Sequence, residues 1–254
     1  MNHVNENMQT LKYKASSFSI IFKSEKFIKG LLENIIEQED FENIEFIFLN
    51  PNSPDNSFSI LEPYLWKYKN FKYIFLENDP GLYECWNICI KNASSDYVTN
   101  WNPDDRRTND SIVSLIDILN KNTDYDLVYG LTYITKNENE KVTDCNSNSI
   151  WFSCEHNYQT LFFHNSPHCM PMWRKSIHEK YGFFDNSYVS AGDGDMWLRA
   201  TIGGSKFFFL KKIVGSYYES NETFSRNKEK IDFLIKEVYE MRCKNLRRIM
   251  GLNQ

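Results

Sequence analysis

The 254-residue sequence lacks several features that would assign its class directly. It contains no run of 18 apolar residues and no N-terminal signal peptide, so neither a membrane span nor secretion is expected. We therefore expect a cytoplasmic protein, at most held at the inner face of the membrane. The net charge of -5 is opposite to that of typical nucleic-acid binders, and no nucleic-acid partner is expected.

Signature motifs of several enzyme classes are also missing. None of the six cysteines forms a C-x-x-C pair, which leaves little support for a zinc site. No G-x-x-x-x-G-K-S/T loop, G-x-G-x-x-G fingerprint or G-x-S-x-G elbow occurs, so P-loop, dinucleotide-binding and α/β-hydrolase proteins have no support. What remains is an ordinary globular composition, 41% hydrophobic, in a chain long enough for one large domain.

Strand-like and helix-like segments alternate through the first half of the chain. Strands are predicted at residues 17–22, 44–49, 71–76, 95–99 and 126–135. Helices are predicted at residues 25–38, 59–68, 82–93 and 111–119. This alternation is typical of an α/β fold with a mainly parallel sheet and helices on both faces.

The second half of the chain has a weaker pattern. Residues 136–168 are polar and predict a long loop, and loops of that length are commonly functional or mobile. A helix that opens with acids is predicted at 191–200, strands at 206–210 and 213–218, and a basic amphipathic helix from residue 228. We divide the chain into a loose N-terminal tail (1–15), an α/β domain (16–225) and a C-terminal helix (226–254).

The most informative stretch is Asn102-Pro103-Asp104-Asp105, which directly follows a predicted strand. Proline ends the strand's hydrogen bonding, so both carboxylates lie at the strand's carboxyl end, where open α/β sheets bind ligands. Adjacent carboxylates repel each other unless a cation offsets their charge, and Mg²⁺ or Mn²⁺ bound to phosphate oxygens would do so. A solvated turn is the alternative, because Asn, Pro and Asp are all turn formers.

Four segments resemble the family 2 glycosyltransferases, enzymes with a GT-A fold, in both order and spacing. They are Gly81-Leu82-Tyr83-Glu84-Cys85-Trp86-Asn87 running into Asn102-Pro103-Asp104-Asp105, Met172-Trp173-Arg174 with Gly182-Phe183-Phe184-Asp185, Asp193-Gly194-Asp195-Met196-Trp197-Leu198-Arg199, and Tyr217-Tyr218-Glu219 with Ser225. The resemblance covers about residues 17–225. It implies a mostly parallel central sheet flanked by helices, and transfer of a sugar from a nucleotide diphosphate sugar.

The resemblance also implies roles for the acids. Asp104 matches the metal-binding acid of the family's D-x-D motif, with Asp105 beside it as a second ligand, and the ion would be Mn²⁺ or Mg²⁺. Asp193 matches the general base that takes the proton of the acceptor hydroxyl, which gives single displacement with inversion. Asp195 is expected to orient the acceptor or to tune the pKa of Asp193.

A larger set of residues is expected to bind the donor, because it occupies donor-side positions of the family. The set comprises Phe22, Asn50, Asp79, Gly81, Trp86, Asn87, Asn102 and Asp104. The acceptor implied by the resemblance is a glycan, a lipid-linked sugar or a protein-linked sugar. The basic C-terminal helix suits an anionic membrane surface, and the alternatives are packing on the domain or self-association.

The segment expected to read the nucleotide base departs from the family. Relatives carry Val-Asp-Asp-Gly-Ser after the second strand, whereas this chain has Leu49-Asn50-Pro51-Asn52-Ser53. An amide both donates and accepts hydrogen bonds, whereas a carboxylate only accepts. Either base recognition has changed, or the chain is a catalytically weak or inactive nucleotide-sugar-binding relative. A nucleotidyltransferase is a third alternative, disfavoured because residues 20–26 contain no glycine for a triphosphate loop.

Overall fold

The computed structural model describes residues 13–219 and 231–252, which form an α/β structure. Its strands are β1 (Ala15–Ile20), β2 (Ile44–Asn50), β3 (Phe71–Phe75), β4 (Tyr97–Asn100), β5 (Arg106–Arg107), β6 (Leu127–Thr135), β7 (Met172–Arg174) and β8 (Phe207–Tyr218). Its α-helices are α1 (Glu25–Ile36), α2 (Ser57–Lys67), α3 (Leu82–Asn92), α4 (Ser111–Lys121), α5 (Tyr158–Phe163), α6 (Ile177–Tyr181), α7 (Gly192–Ile202) and α8 (Ile231–Ile249).

Within the described residues the strands form one sheet in the order β3-β2-β1-β4-β7-β6-β8-β5. The first four strands of this order are parallel to one another. Strand β7 is antiparallel to both of its neighbours, β6 and β8 are parallel, and β5 is antiparallel to β8. The predicted α/β class with a mostly parallel sheet is therefore confirmed.

Helices cover both faces of the sheet, and each face has its own apolar core. Successive side chains of β2 alternate between the two cores, with Ile47 and Leu49 in one and Phe46 and Phe48 in the other. A strand buried on both faces has no solvent-facing side, which explains the apolar run at residues 46–49 that helps to predict it. Helix α1 closes one core with the stripe Phe27, Ile28, Leu31, Leu32 and Ile35.

A single long strand, β8, replaces the two strands predicted at residues 206–210 and 213–218. The lysine pair Lys211-Lys212 predicts a break, but the strand continues through it because the ladder with β6 shifts register between Tyr129 and Thr132. Gly130 lies in this bulge, where an added Cβ would approach Val214 Cγ1 to 2.5 Å. The bulge therefore requires glycine at position 130. The apolar pattern of β8 gives no sign that a bulge lies opposite it.

The loop predicted at residues 136–168 contains one short helix, α5. The Asn157 side chain accepts a hydrogen bond from Thr160 N at 2.7 Å, and the Thr160 hydroxyl accepts one from Asn157 N at 3.1 Å. This reciprocal capping box fixes the start of the helix. Six residues are too few for a helical period to show in the sequence, so only the cap could have predicted α5.

The two ends of the chain were predicted as a loose tail and a basic helix. Residues 1–12 and 220–230 lie outside the described residues, so the domain boundaries at 15 and 225 stay predictions. Strand β1 begins at Ala15, and the described C-terminal residues form helix α8, which packs on α7. Across 13–219 and 231–252, no helix combines the length and apolar character needed to cross a bilayer.

Candidate active site

The carboxyl ends of β1, β2 and β4 lie side by side at one edge of the sheet. Ile21 N donates to Leu49 O at 2.7 Å, and Trp101 N donates to Phe18 O at 2.8 Å. The segments that follow these three parallel strands therefore leave from the same edge, which is where open α/β sheets bind ligands.

The segment after β4 is a tight acidic turn held from inside the protein. Trp101 is fully buried, and its indole Nε1 donates to Asp105 O at 3.2 Å. Asp105 N donates to Asn102 O at 3.1 Å, which closes the turn. The buried guanidinium of Arg106 donates to Pro103 O at 2.8 Å and to Asp105 O at 2.6 Å. These hydrogen bonds fix the backbone of the turn, and the turn places the Asp104 side chain at this edge of the sheet.

Asp105 faces inward and joins three parts of the chain. Its carboxyl accepts hydrogen bonds from Tyr218 N at 3.0 Å, from Asn102 Nδ2 at 3.0 Å and from Cys169 Sγ at 3.7 Å. Burial, followed by the nearby charge of Asp104, raises the pKa of Asp105 to about 8. Asp105 is fully buried and its carboxyl is bonded within the protein, while a metal contact of Asp105 stays a prediction.

Asp104 is the half-buried acid of the turn and has the opposite surroundings. Its carboxylate accepts no hydrogen bond from any other side chain in the described part of the molecule. Burial raises the pKa of Asp104, and the positive charges of Arg106 and Lys26 oppose this rise. Asp104 is thus a carboxylate whose negative charge is only partly balanced, at the edge of the sheet where ligands bind. Such a carboxylate fits a hard divalent cation.

A metal bound there would need ligands beyond the described side chains. Within residues 13–219 and 231–252, no three His, Cys, Asp or Glu side chains are close enough to form a metal site. Water or substrate oxygens commonly complete such a site when Mg²⁺ is bound together with phosphates.

Asp193 lies in the first turn of α7 and is held by three hydrogen bonds. Tyr83 donates its hydroxyl to Asp193 Oδ1 at 3.3 Å, and Asn165 Nδ2 donates to Oδ2 at 2.7 Å. Gly194 N donates to Oδ1 at 2.8 Å. Burial raises the pKa of Asp193, and the three hydrogen bonds oppose the rise. The result is an oriented carboxylate whose basicity exceeds that of a free aspartate.

Glycines on both sides of Asp193 allow two close approaches. A Cβ at position 192 would lie 2.6 Å from the Tyr83 ring, and a Cβ at 194 would lie 3.3 Å from Met241 Cε of α8. The spacing Gly192-Asp193-Gly194 therefore lets α3 and α8 reach the first turn of α7 from different directions.

Asp195 is fully buried and has no oxygen directed at solvent. Its Oδ2 accepts from Arg199 Nε at 2.7 Å, while Oδ1 accepts from Asn245 Nδ2 at 2.9 Å and Arg248 Nη1 at 3.0 Å. These partners occupy both carboxylate oxygens and join α8 to α7 through Asp195. A role of Asp195 in orienting the acceptor or in tuning the pKa of Asp193 stays a prediction.

One short segment links the two acidic motifs. Asn165 contacts Asp193, and Cys169 contacts Asp105. Between them, His168 N donates to Asn165 O at 3.1 Å in a turn, and the ends of such a turn lie within about 7 Å of each other. The structure thus brings the turn of Asp105 and the helix of Asp193 to the two ends of a five-residue bridge.

The predicted donor residues after β1 and β2 lie at the same edge. Phe22 is 38% exposed at the end of β1. The loop it begins is tied to the loop after β2, since Lys23 N donates to Ser53 Oγ at 2.8 Å and Glu25 N donates to Asp55 Oδ2 at 2.9 Å. Two hydrogen bonds therefore join these loops at the edge of the sheet that carries the acidic turn.

Asn50 is buried and its amide is used within the protein. Its Nδ2 donates to the Tyr73 hydroxyl at 3.0 Å, and its Oδ1 accepts from Ser53 N at 2.7 Å. The side chain shapes the turn that replaces the family's acidic segment. A direct contact with a nucleotide base stays a prediction.

The residues around the start of α3 divide into an exposed pair and a buried pair. Asp79 and Gly81 are exposed, with Gly81 N donating to Asp79 Oδ1 at 2.9 Å and Gly81 at a φ of 92°. Trp86 packs its edge against Phe18, and Asn87 hydrogen-bonds both the N–H and the C=O of Phe184 at 3.0 and 2.9 Å. Contact with the donor stays a prediction for all four residues. The contacts of the buried Trp86 and Asn87 hold α3 in place.

Tyr83 and Asn165 hydrogen-bond the Asp193 carboxylate, and the sequence alone assigns neither of them a role. Tyr83 lies inside the Gly81–Asn87 motif, and its place on the face of α3 next to α7 is the signal that could have identified its contact with Asp193. Asn165 lies in a polar stretch without periodicity, and nothing in its surroundings in the sequence indicates a contact with Asp193.

This sheet order, with an acidic turn after β4 and a second acid opening α7, is that of a GT-A glycosyltransferase. The glycosyl transferase family 2 profile matches residues 17–180, and the chain belongs to this family. The predicted fold class and family are confirmed.

Curated relatives carry related descriptions. A 100-residue segment is 32% identical to the minor teichoic acid biosynthesis protein GgaB of Bacillus subtilis, and this match covers 39% of the chain. An uncharacterized glycosyltransferase of Rickettsia typhi is 25% identical over 213 residues, or 80% of the chain. The chain spans 11% of the first relative and 63% of the second.

Solved structures share the fold at low identity. S. aureus TarS 1-349 in complex with UDP-GlcNAc matches 92% of the chain and 66% of its own length, with a TM-score of 0.73 and 17% identity. The mannosyltransferase PcManGT from Pyrobaculum calidifontis in complex with GDP-Man and Mn²⁺ matches 95% of the chain and 69% of its own length, with a TM-score of 0.68 and 11% identity.

Proposed function

We propose that the chain transfers a sugar from a nucleotide diphosphate sugar to a hydroxyl of a glycan, lipid-linked or protein-linked acceptor, with inversion at the anomeric carbon. The observation that carries the proposal is the pairing of a half-buried Asp104, whose carboxylate accepts no hydrogen bond from another side chain among the described residues, with an oriented Asp193 across the Asn165–Cys169 bridge. The one acid suits the donor side and the other suits the acceptor side.

The relatives suggest where to look for substrates. TarS is described in complex with UDP-GlcNAc, and the matching Bacillus protein is a minor teichoic acid biosynthesis protein. We therefore propose a UDP-sugar as the first donor to test and a cell-surface polymer or its lipid-linked precursor as the acceptor. GDP-mannose belongs in the same panel because PcManGT is described with it.

The residues of this chain divide the work between donor and acceptor. Asp104 would hold Mn²⁺ or Mg²⁺ against the diphosphate, and such an ion neutralises the charge that develops on the leaving group. Asp193 accepts the proton of the acceptor hydroxyl while that oxygen bonds to the anomeric carbon and the bond to the diphosphate breaks. Tyr83 and Asn165 hold the Asp193 carboxylate in place for that transfer.

Turnover of a nucleotide-sugar panel tests the proposal. UDP- and GDP-sugars are incubated with Mn²⁺ or Mg²⁺, or with a chelator, and release of the nucleoside diphosphate is measured. We expect metal-dependent release that Asp104→Ala abolishes together with donor affinity. Asp193→Asn is expected to keep donor affinity and to stop transfer to an acceptor. Full transfer by Asp193→Asn would show that another residue is the base.

A second candidate function is supported by one observation. The family's base-reading acid is replaced by Asn50, whose amide is committed to Tyr73 and Ser53. A chain altered at this position would bind nucleotide sugars without transferring them. Tight binding of a UDP-sugar in calorimetry, with no diphosphate released in hours at saturating donor and metal, would favour this alternative.

A further inference from the structure

Glu237 of α8 lies at the beginning of α7, far from it in the sequence. It is 6% exposed, although it is an acid on an amphipathic helix. Its Oε1 accepts from Val189 N at 2.5 Å, and its Oε2 accepts from Ser190 N at 2.8 Å and from Ala191 N at 2.9 Å. The Ser190 hydroxyl adds a fourth hydrogen bond at 3.0 Å. Three successive backbone amides therefore converge on one carboxylate.

This carboxylate compensates the start of α7 from outside the helix. The first amides of a helix have no partner within the helix, and the N-terminus carries a partial positive charge. The residue at the cap position of α7 is Ala191, which has no polar side chain to offer. Glu237 accepts hydrogen bonds from the Ala191 amide and from the amides of the two residues before it, and it adds a compensating negative charge from a different helix.

The helix capped in this way is the one that carries the proposed base. Asp193 follows Ala191 by two residues, so the backbone fixed by Glu237 is the backbone that aims the Asp193 carboxylate. On the next turn, Asn245 and Arg248 of α8 hold Asp195. Helix α8 thus contacts the chain on both sides of Asp193, at residues 189–191 and at Asp195.

We propose that Glu237 is a positioning residue for Asp193, and that α8 is part of the catalytic apparatus. By anchoring residues 189–191, Glu237 keeps the first turn of α7 where Tyr83 and Asn165 both reach Asp193. The inference rests on the proposed function, because it assigns a support to the proposed base.

The test compares Glu237→Ala, Glu237→Gln and Glu237→Asp with the wild type, as kcat per donor-binding site and as donor KM. Glu237→Ala is expected to lower kcat about 10- to 100-fold, because small displacements of a reacting group are that costly, while donor KM stays within about twofold. Added formate or acetate is expected to restore part of the lost kcat in Glu237→Ala by filling the vacated carboxylate site. Glu237→Asp is expected to retain more kcat than Glu237→Gln. Glu240→Gln is the matched control, since its side chain is 60% exposed on the same helix, and it should keep wild-type kcat.

Amide hydrogen exchange of residues 189–194 provides a measurement that does not depend on activity. We expect faster exchange there in Glu237→Ala and in Glu237→Gln, which keeps the side-chain shape if the alanine variant folds poorly. Wild-type exchange in both variants, or wild-type kcat in Glu237→Ala, overturns the inference. A wild-type protein that transfers no sugar overturns the proposed function instead, and the exchange data still decide whether Glu237 anchors α7.

Discussion

At the scale of single residues, burial acts on three neighbouring acids with different results. Burial raises the pKa of Asp104, Asp105 and Asp193. Asp105 has in addition the charge of Asp104 beside it, and its pKa reaches about 8. Hydrogen bonds from Tyr83 and Asn165 favour the ionised form of Asp193. Three acids that are indistinguishable in the sequence thereby acquire different surroundings, which suit a proposed cation site at Asp104, a protonated anchor at Asp105 and a proposed base at Asp193.

Removing the amide that faces Asp193 should change the pH dependence of transfer. Asn165→Leu keeps the side-chain volume and the desolvation of Asp193 but loses the 2.7 Å hydrogen bond to its carboxylate. A hydrogen bond to a charged group contributes about 1.5–3 kcal/mol and favours the charged form, so its loss should raise the pKa of Asp193 further. The base works only when deprotonated, so the acidic limb of the rate profile should move to higher pH.

The measurement is kcat for transfer between pH 5 and pH 9. Asn148→Ala, an exposed asparagine of the same loop, is the control and should leave the profile unchanged. An acidic limb that stays in place in Asn165→Leu would show that Asp193 does not set it.

The proton held by Asp105 should appear in the stability of the protein. Its folded-state pKa of about 8 exceeds its ordinary value of 3.8, so between these pH values the folded state binds more protons than the unfolded state. Stability from this group is therefore present at low pH and is lost as pH rises through about 8, with a slope of up to about 1.4 kcal/mol per pH unit.

Urea unfolding of the wild type and of Asp105→Asn between pH 5 and pH 9 measures this slope. The wild-type free energy of unfolding should fall across this range relative to that of the variant, which holds no titrating carboxyl there. Asp117→Asn on the surface of α4 is the control and should follow the wild type. Parallel curves for the wild type and Asp105→Asn would mean that Asp105 is ionised in the folded protein.

At the scale of elements, α7 depends on partners that come from elsewhere in the chain. Strand and helix positions in the first half follow from apolar spacing, because each element there buries one stripe or one run. The side chains that hold α7 in place show no such pattern in the sequence. Glu237 resembles any charge on an amphipathic helix, and Asn165 resembles any polar loop residue. Their roles depend on tertiary contacts that no local pattern encodes.

Loosening the junction of α7 and α8 should destabilise the fold. Asp195 is fully buried between Arg199 and Arg248, whose side chains are 14% and 30% exposed. Asp195→Asn leaves both guanidinium groups without a counter-charge, and breaking a buried pair in this way costs roughly 3 kcal/mol. Glu240→Gln breaks only the exposed pair with Lys236 and should cost about 0.5 kcal/mol or less. Urea unfolding at pH 7 measures both, and equal costs would show that the junction carries little of the stability.

At the scale of the whole molecule, the sheet brings sequence-distant residues to one edge. Strands β1 to β4 could be predicted because they follow one another with helices between them. The places of β7 and β8 could not, since β7 has three residues and β8 inserts between two earlier strands. The acidic motifs could be recognised individually, but their connection through residues 165–169 is visible only in three dimensions.

The incomplete metal site predicts cooperative binding. Because no three ligand-type side chains cluster in the described residues, Mn²⁺ alone should bind weakly and raise Tm little. Mn²⁺ together with UDP completes the coordination, and a ligand at 100 times its Kd stabilises a protein by about 2.7 kcal/mol. Thermal unfolding with Mn²⁺, with UDP and with both should show a shift larger than the sum of the two, and Asp104→Ala should remove the excess. An additive response would place the two ligands at independent sites.

The bridge from Asn165 to Cys169 has a consequence for altering this protein. Its two ends touch the two halves of the proposed reaction centre, so an insertion or deletion within it would displace one half relative to the other whatever residues were chosen. Efforts to change acceptor choice should keep those five positions at their natural length and vary only exposed side chains of the preceding stretch around α5, because substitutions there leave the length of the bridge unchanged.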